Sequence, residues 1–215
     1  MRDIDTIETQ ELSDTEETEV LAQEEETDKA SEEKNSKGSF IRELIIYAVI
    51  IVLCVTVVPR YVIQRTQVDG GSMKNTLHNK ESLLVEKVTY HFKDPDRFDI
   101  VTFYPQGRDH EEYYIKRIIG LPGETIQITG NTIYINGEVL KENYGREPMD
   151  SGGIAEEPVK LGDDEFFVLG DNRNESVDSR DGEGVGVVKK ENIDGHAFLR
   201  VYPFSKFGTI TNGNQ

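Results

Sequence analysis

The sequence is poor in the residues that usually mark a stabilised or metal-bearing secreted domain. It holds a single cysteine, Cys54, so no disulfide forms within the chain and no cysteine cluster offers a zinc site. Cysteine content therefore leaves the compartment open. Positive charge is scarce: 24 Lys and Arg stand against 41 Asp and Glu, a net charge of −17. No basic stripe runs along the chain, which argues against nucleic acid as the main partner. Only four histidines occur, His78, His91, His110 and His196, none within a motif, so a Ser-His-Asp triad finds no support. Internal repeats are absent, and past residue 64 no helical periodicity of useful length appears.

What is present is unevenly arranged. Residues 1–38 hold fourteen acidic and four basic residues and no aromatic, a net −10 that leaves −7 for the rest. Such a segment cannot bury enough apolar surface to offset its ordering entropy, and it is expected to be a disordered tail. Residues 44–58, LIIYAVIIVLCVTVV, carry no charge and end at Pro59 and Arg60. Fifteen residues of helix reach about 22 Å, short of the ~30 Å hydrocarbon core. Phe40, Ile41, Tyr61, Val62 and Ile63 extend the apolar length if Arg42, Glu43 and Arg60 snorkel. The run lies too far from the start, behind acidic sequence, to read as a cleaved signal, and it is expected to remain as an anchor in a phospholipid membrane. Basic residues before it (Lys29, Lys34, Lys37, Arg42) outnumber those just after it (Arg60, Arg65, Lys74), favouring a cytoplasmic N-terminus and an extracytoplasmic domain.

Beyond the anchor, alternation predicts strands at 82–88, 98–104, 113–119 and 165–169, with another at 197–202. Turn signals at Gly130-Asn131 and Asn136-Gly137 divide 125–140 into successive hairpins. Residues 143–157, rich in Gly and Glu, read as a loop. The fold class expected is mostly β: a β domain with an inserted β subdomain, preceded by one transmembrane helix. The boundaries are a tail at 1–40, the anchor at 41–63, a catalytic domain at 64–205 with the insert at about 121–165, and a C-terminal tail at 206–215.

Four clusters carry chemistry. The first is VDGGSMKNTL at 68–77, where two glycines let the backbone turn sharply and expose Ser72. FDIVTFYP at 98–105 is a buried strand with an aspartate. YIKRIIGLPGE at 114–124 sets Lys116 inside an apolar alternation, with Tyr114, Lys116 and Ile118 on one face and Ile115, Arg117 and Ile119 on the other. GDNRNESVDSR at 170–180 is a polar turn directly after an apolar strand. A Ser-x-x-Lys arrangement of the penicillin-binding type fails, because Asn75 occupies the lysine position.

Each cluster alone has an ordinary structural explanation. Together and in this order, from about 41 to 205, they resemble the type I signal peptidases, the Gram-positive branch above all. The resemblance implies a Ser/Lys serine endopeptidase that removes signal peptides from exported preproteins at the outer membrane face, beside the translocation machinery, with no metal and no cofactor. It makes Ser72 the nucleophile and Lys116 the general base. Lysine serves as a base only when neutral, so the site must lower its pKa by desolvation. Ser72 N–H becomes an oxyanion donor, with the backbone at Gly70 beside it; relatives with serine at that position supply a hydroxyl that Gly70 lacks. The resemblance has Ser176 orient Lys116, Asp178 and Arg180 hold the turn, and Asp171 brace it. Val68, Met73 and Ile115 would line shallow pockets that admit small residues and so favour Ala-x-Ala. Asn75 departs from the family's usual proline. Two other classes compete: a non-catalytic anchored β domain that binds partners, and a Ser/Lys self-cleaving regulator, whose DNA-binding module this chain lacks.

Overall fold

The computed structural model describes residues 40–58, 61–110 and 112–210. The acidic segment, up to residue 39, lies outside them, as do Pro59, Arg60 and residues 211–215.

Helix α1, Phe40–Val58, has 19 residues and is long and apolar enough to cross a membrane. It spans about 28 Å, close to a hydrocarbon core. Its apolar residues are exposed on every side, Ile45, Ile51 and Val55 among them, a pattern suited to an apolar solvent rather than to a one-sided core. The helix begins earlier than the uncharged run, taking in Phe40 and Ile41 despite Arg42 and Glu43. The expected anchor limit at 63 differs from what is seen, because Ile63 opens the first strand.

The β region is built on a curled antiparallel sheet. Its strands are β1 (Ile63–Gln67), β2 (Ser82–Glu86), β3 (Ile100–Phe103) and β4 (Tyr114–Gly120). Four more complete it: β9 (Glu165–Leu169), β10 (Val188–Lys189), β11 (Ile193–Tyr202) and β12 (Gly208–Thr209). Their order is β1-β2-β11-β3-β4-β9-β10, with β12 on the side of β11. A one-turn helix α2, Thr89–Phe92, follows β2. The predicted strands all occur; those at 82–88 and 98–104 are shorter than expected, and the one at 197–202 begins earlier, at Ile193. Asp99 falls just before β3 rather than within it, and its carboxylate accepts the buried Tyr90 hydroxyl at 2.9 Å.

β4 and β9 are neighbours, yet 44 residues separate them in the chain. That connection is a second sheet of β5 (Thr125–Thr129), β6 (Thr132–Ile135), β7 (Glu138–Val139) and β8 (Val159–Lys160), in the order β7-β6-β5-β8. Its hairpins turn at the predicted pairs, with Thr129 opposite Thr132 and Ile135 opposite Glu138. Ile126, Ile128 and Ile133 pack on Ile119, Phe167 and Leu169 of the main sheet, so the insert shares a core with the strands that it connects.

Two further clusters fill the main sheet. Val101, Phe103, Ile118, Phe166 and Val168 form one. Val68, Met73, Leu77, Leu83, Ile100 and Ile210 form the other, beneath the loop between β1 and β2. The last of these residues belongs to the expected C-terminal tail. There β12 pairs with β11, and Ile210 N–H donates to Phe198 O at 2.9 Å, so the ordered fold continues past 205.

Candidate active site

Ser72 sits on the β1–β2 loop. The loop is closed at its base by Val68 N–H to Glu81 O and Lys80 N–H to Val68 O, both 2.8 Å. Gly70 has φ of 94°, a region that favours glycine, and the chain then enters a helical turn with Leu77 N–H on Met73 O at 2.8 Å. Met73 and Leu77 are buried, so this turn is pinned from below and Ser72 is held at its start.

Lys116 lies in β4 with only 4% of its surface exposed. Its Nζ donates to Ser72 Oγ at 2.9 Å and to Ile115 O at 3.2 Å, and stands 5.1 Å from the centre of the Tyr114 ring. Burial pushes the lysine pKa down to about 8, against the opposing pull of Asp178.

The polar turn after β9 closes over this pair. Arg117 pairs with Leu169 and Ile118 with Val168, so the chain leaves β9 next to the part of β4 that carries Lys116. A Cβ at Gly170 would lie 2.2 Å from Ser176 Oγ and 2.5 Å from Ser72 O. The missing side chain thus makes room for both serines beside the lysine. Ser176 Oγ is buried there without a hydrogen-bond partner; the bond to Lys116 that the resemblance implies is not formed. Asp178 accepts from Gly170 N–H at 3.0 Å and from Arg180 Nε and Nη2 at 2.9 Å each, fixing the turn that carries Ser176.

Asp171 is fully buried and takes a bidentate pair from Arg117, at 2.9 and 2.7 Å, plus the Thr76 hydroxyl. Its oxygens are spent on this brace, and no metal-ligating cluster occurs among the described residues. Asn172 stitches the turn to the serine loop, its N–H on Ser72 O at 2.9 Å and its Nδ2 on Gly71 O at 3.0 Å. Arg117, Thr76, Gly170 and Asn172 were not singled out from sequence. The signal available for them was position: each adjoins a residue that was singled out.

Among the described residues Ser72 N–H has no partner, whereas Gly70 N–H donates to Asn79 Oδ1 at 3.3 Å. Only the first amide is open to a ligand. A cleft of about 510 Å³ opens beside it, lined by Val68, Met73 and Ile115 as well as Ser72 and Lys116. It lies between the end of β1 and the start of β4, and across it the hydroxyls of Thr66 and of Tyr113, the residue before β4, stand 3.5 Å apart. Lys74, expected in solvent, is half exposed and lies 3.4 Å from Glu175. Asn75 has φ of 116°, a value closed to proline, and its Nδ2 donates to Tyr144 O at 3.0 Å.

The family described as signal peptidase, peptidase S26, matches residues 41–202. A signal peptidase I of Leptolyngbya laminosa is 42% identical over 156 residues, covering 70% of this chain and 74% of that protein. A signal peptidase I of Bacillus amyloliquefaciens is 34% identical over 181 residues, covering 81% of this chain and 95% of that one. A solved signal peptidase I from Enterococcus faecalis is 35% identical and covers 48% of this chain and 97% of that chain, with a TM-score of 0.40. The chain belongs to the signal peptidase family, peptidase S26, and is a serine peptidase.

Proposed function

We propose that this protein is a membrane-anchored endopeptidase that cleaves signal peptides from exported preproteins after small residues, with Ser72 as nucleophile and Lys116 as general base. The observation that carries the reading is the buried 2.9 Å contact between Lys116 Nζ and Ser72 Oγ. A serine hydroxyl attacks a peptide carbonyl only when a base takes its proton. With a pKa of about 8, an appreciable fraction of Lys116 is neutral near physiological pH. In that state the hydrogen bond reverses, and Ser72 O–H donates to the lysine lone pair.

The steps follow from the geometry. Ser72 Oγ adds to the scissile carbonyl as Lys116 takes its proton. The oxyanion is met by Ser72 N–H. Lys116 returns the proton to the leaving amine, and the signal peptide stays as an ester on Ser72. Water then attacks the ester with Lys116 again as base. Each transfer makes a transient ammonium, which Asp178 and the Tyr114 ring favour. The slot between β1 and β4 suits an extended substrate added as a strand. The mostly buried Val68 and Met73 leave shallow room for small side chains. Helix α1 is the anchor, with the catalytic domain outside the membrane.

The test uses the full chain in detergent with a preprotein bearing an Ala-x-Ala site. Cleavage after the second alanine is expected for the wild type. Ser72→Ala and Lys116→Ala are each expected to lose at least about a thousandfold in kcat while remaining folded. Substantial cleavage by either variant sinks the pair.

A further inference from the structure

The insert sends one segment back onto the catalytic centre. After β7 the chain runs over the polar turn, and Glu142 takes a bidentate pair from the buried Arg173 at 3.0 and 2.9 Å. Tyr144 N–H donates to the same carboxylate at 2.9 Å. Tyr144 is buried and lays its ring on the Arg117 guanidinium, 3.7 Å from Cζ to ring centre, with the Phe98 ring tilted against it at 5.1 Å. Its carbonyl accepts from Asn75, three residues after Ser72. One residue thereby touches all three segments that make the site: the serine loop, β4 beside Lys116, and through Glu142 and Arg173 the polar turn.

From this we propose that Tyr144 is a positioning residue for the Ser72/Lys116 pair and that Asn75 is its tether to the serine loop. The inference rests on the proposed roles of Ser72 and Lys116. Proline fixes φ near −65°, which stiffens a loop through the backbone alone. Asn75 has φ of 116° and fixes the same point with a side-chain bond to Tyr144 O. Arg117 cannot swing, because Tyr144 covers the face of the guanidinium while Asp171 and Phe98 O hold its edges. Since Arg117 follows Lys116 in β4, any shift of the arginine moves the lysine against Ser72. Small displacements matter here, for an error near 1 Å in a reacting pair costs about a hundredfold in rate.

The experiment measures kcat, KM, the pH profile and thermal midpoint of preprotein cleavage for Asn75→Ala, Tyr144→Phe, Tyr144→Ala and the Asn75→Ala/Tyr144→Ala double variant. Asn75 is exposed, so its loss lowers the thermal midpoint by a few degrees at most and leaves the protein folded. Removing one such hydrogen bond is expected to lower kcat about fivefold with KM unaltered. Tyr144→Phe keeps the ring and most of kcat. Tyr144→Ala loses more, in kcat rather than in KM, and the midpoint of its pH profile stays in place because Tyr144 packs on Arg117 and not on Lys116. The double variant falls short of the product of the single losses, as expected when both residues act through one contact. Wild-type kcat in Asn75→Ala, or a Tyr144→Ala loss that merely follows the unfolded fraction, overturns the inference. Activity in Ser72→Ala overturns the proposed function instead, so the two failures are told apart.

Discussion

In the proposed mechanism Lys116 is the residue at which stability and activity oppose each other. Its pKa of about 8 in the folded protein lies below the ordinary lysine value of 10.5, so between those limits the unfolded chain binds more protons. Stability therefore rises with pH across that window, and the full penalty of burying the ammonium is present below pH 8. At about 1.4 kcal/mol per pH unit the penalty is of the order of 3 kcal/mol at pH 7. Lys116→Met is accordingly expected to be inactive yet more resistant to urea at pH 7, with the gain shrinking toward pH 10.5; equal or lower stability would show that the lysine is not strained by burial. Gly170 is the complementary case. An added methyl would meet Ser176 Oγ and Ser72 O, so Gly170→Ala is expected to lose at least about a hundredfold in kcat. Near-wild-type cleavage would mean that the turn can retreat without cost. Ser72 and Lys116 were legible in sequence through motif and order. Arg117 was not: a charged residue on an amphipathic strand reads as solvent-facing, and what buries it is Asp171, 54 residues away in the chain.

At the scale of elements, the strands were legible because alternation and turn chemistry are local. Asn136-Gly137 and the flanking isoleucines dictate their hairpin without help from the rest of the chain. The two-residue strands β8, β10 and β12 were not, because pairing with a distant partner makes them. The clearest instance is the C-terminal segment, polar enough to read as a tail. Lys206 joins Arg200 on the buried Glu81, at 3.1 and 2.8 Å, and Arg200 Nη2 also holds Thr76 O at 2.6 Å. Ile210 sits with Val68, Met73 and Leu77 under the serine loop. Removing residues 206–215 is expected to lower stability by about 2 to 3 kcal/mol from the loss of Ile210 burial alone, and to lower kcat by loosening the loop. A truncated protein with unchanged melting and cleavage would return the segment to the status of a tail.

At the scale of the whole chain, length and charge divide the labour. The acidic surplus is concentrated before α1, the apolar run supplies a helix fit for lipid, and the β region holds the candidate site. Within that region the site is made where the curled sheet leaves a gap between β1 and β4, and where the insert returns to cover the polar turn. No local pattern announces such a gap, since it depends on how eight strands curl together. The proposed mechanism turns on a neutral Lys116 accepting a proton from Ser72. The most direct measurement is kcat for preprotein cleavage by the full chain between pH 6 and pH 10. A rate that climbs about tenfold per pH unit and levels off above a midpoint near 8 is the predicted result. A rate that is flat across the range, or that falls as the lysine loses its proton, would contradict it.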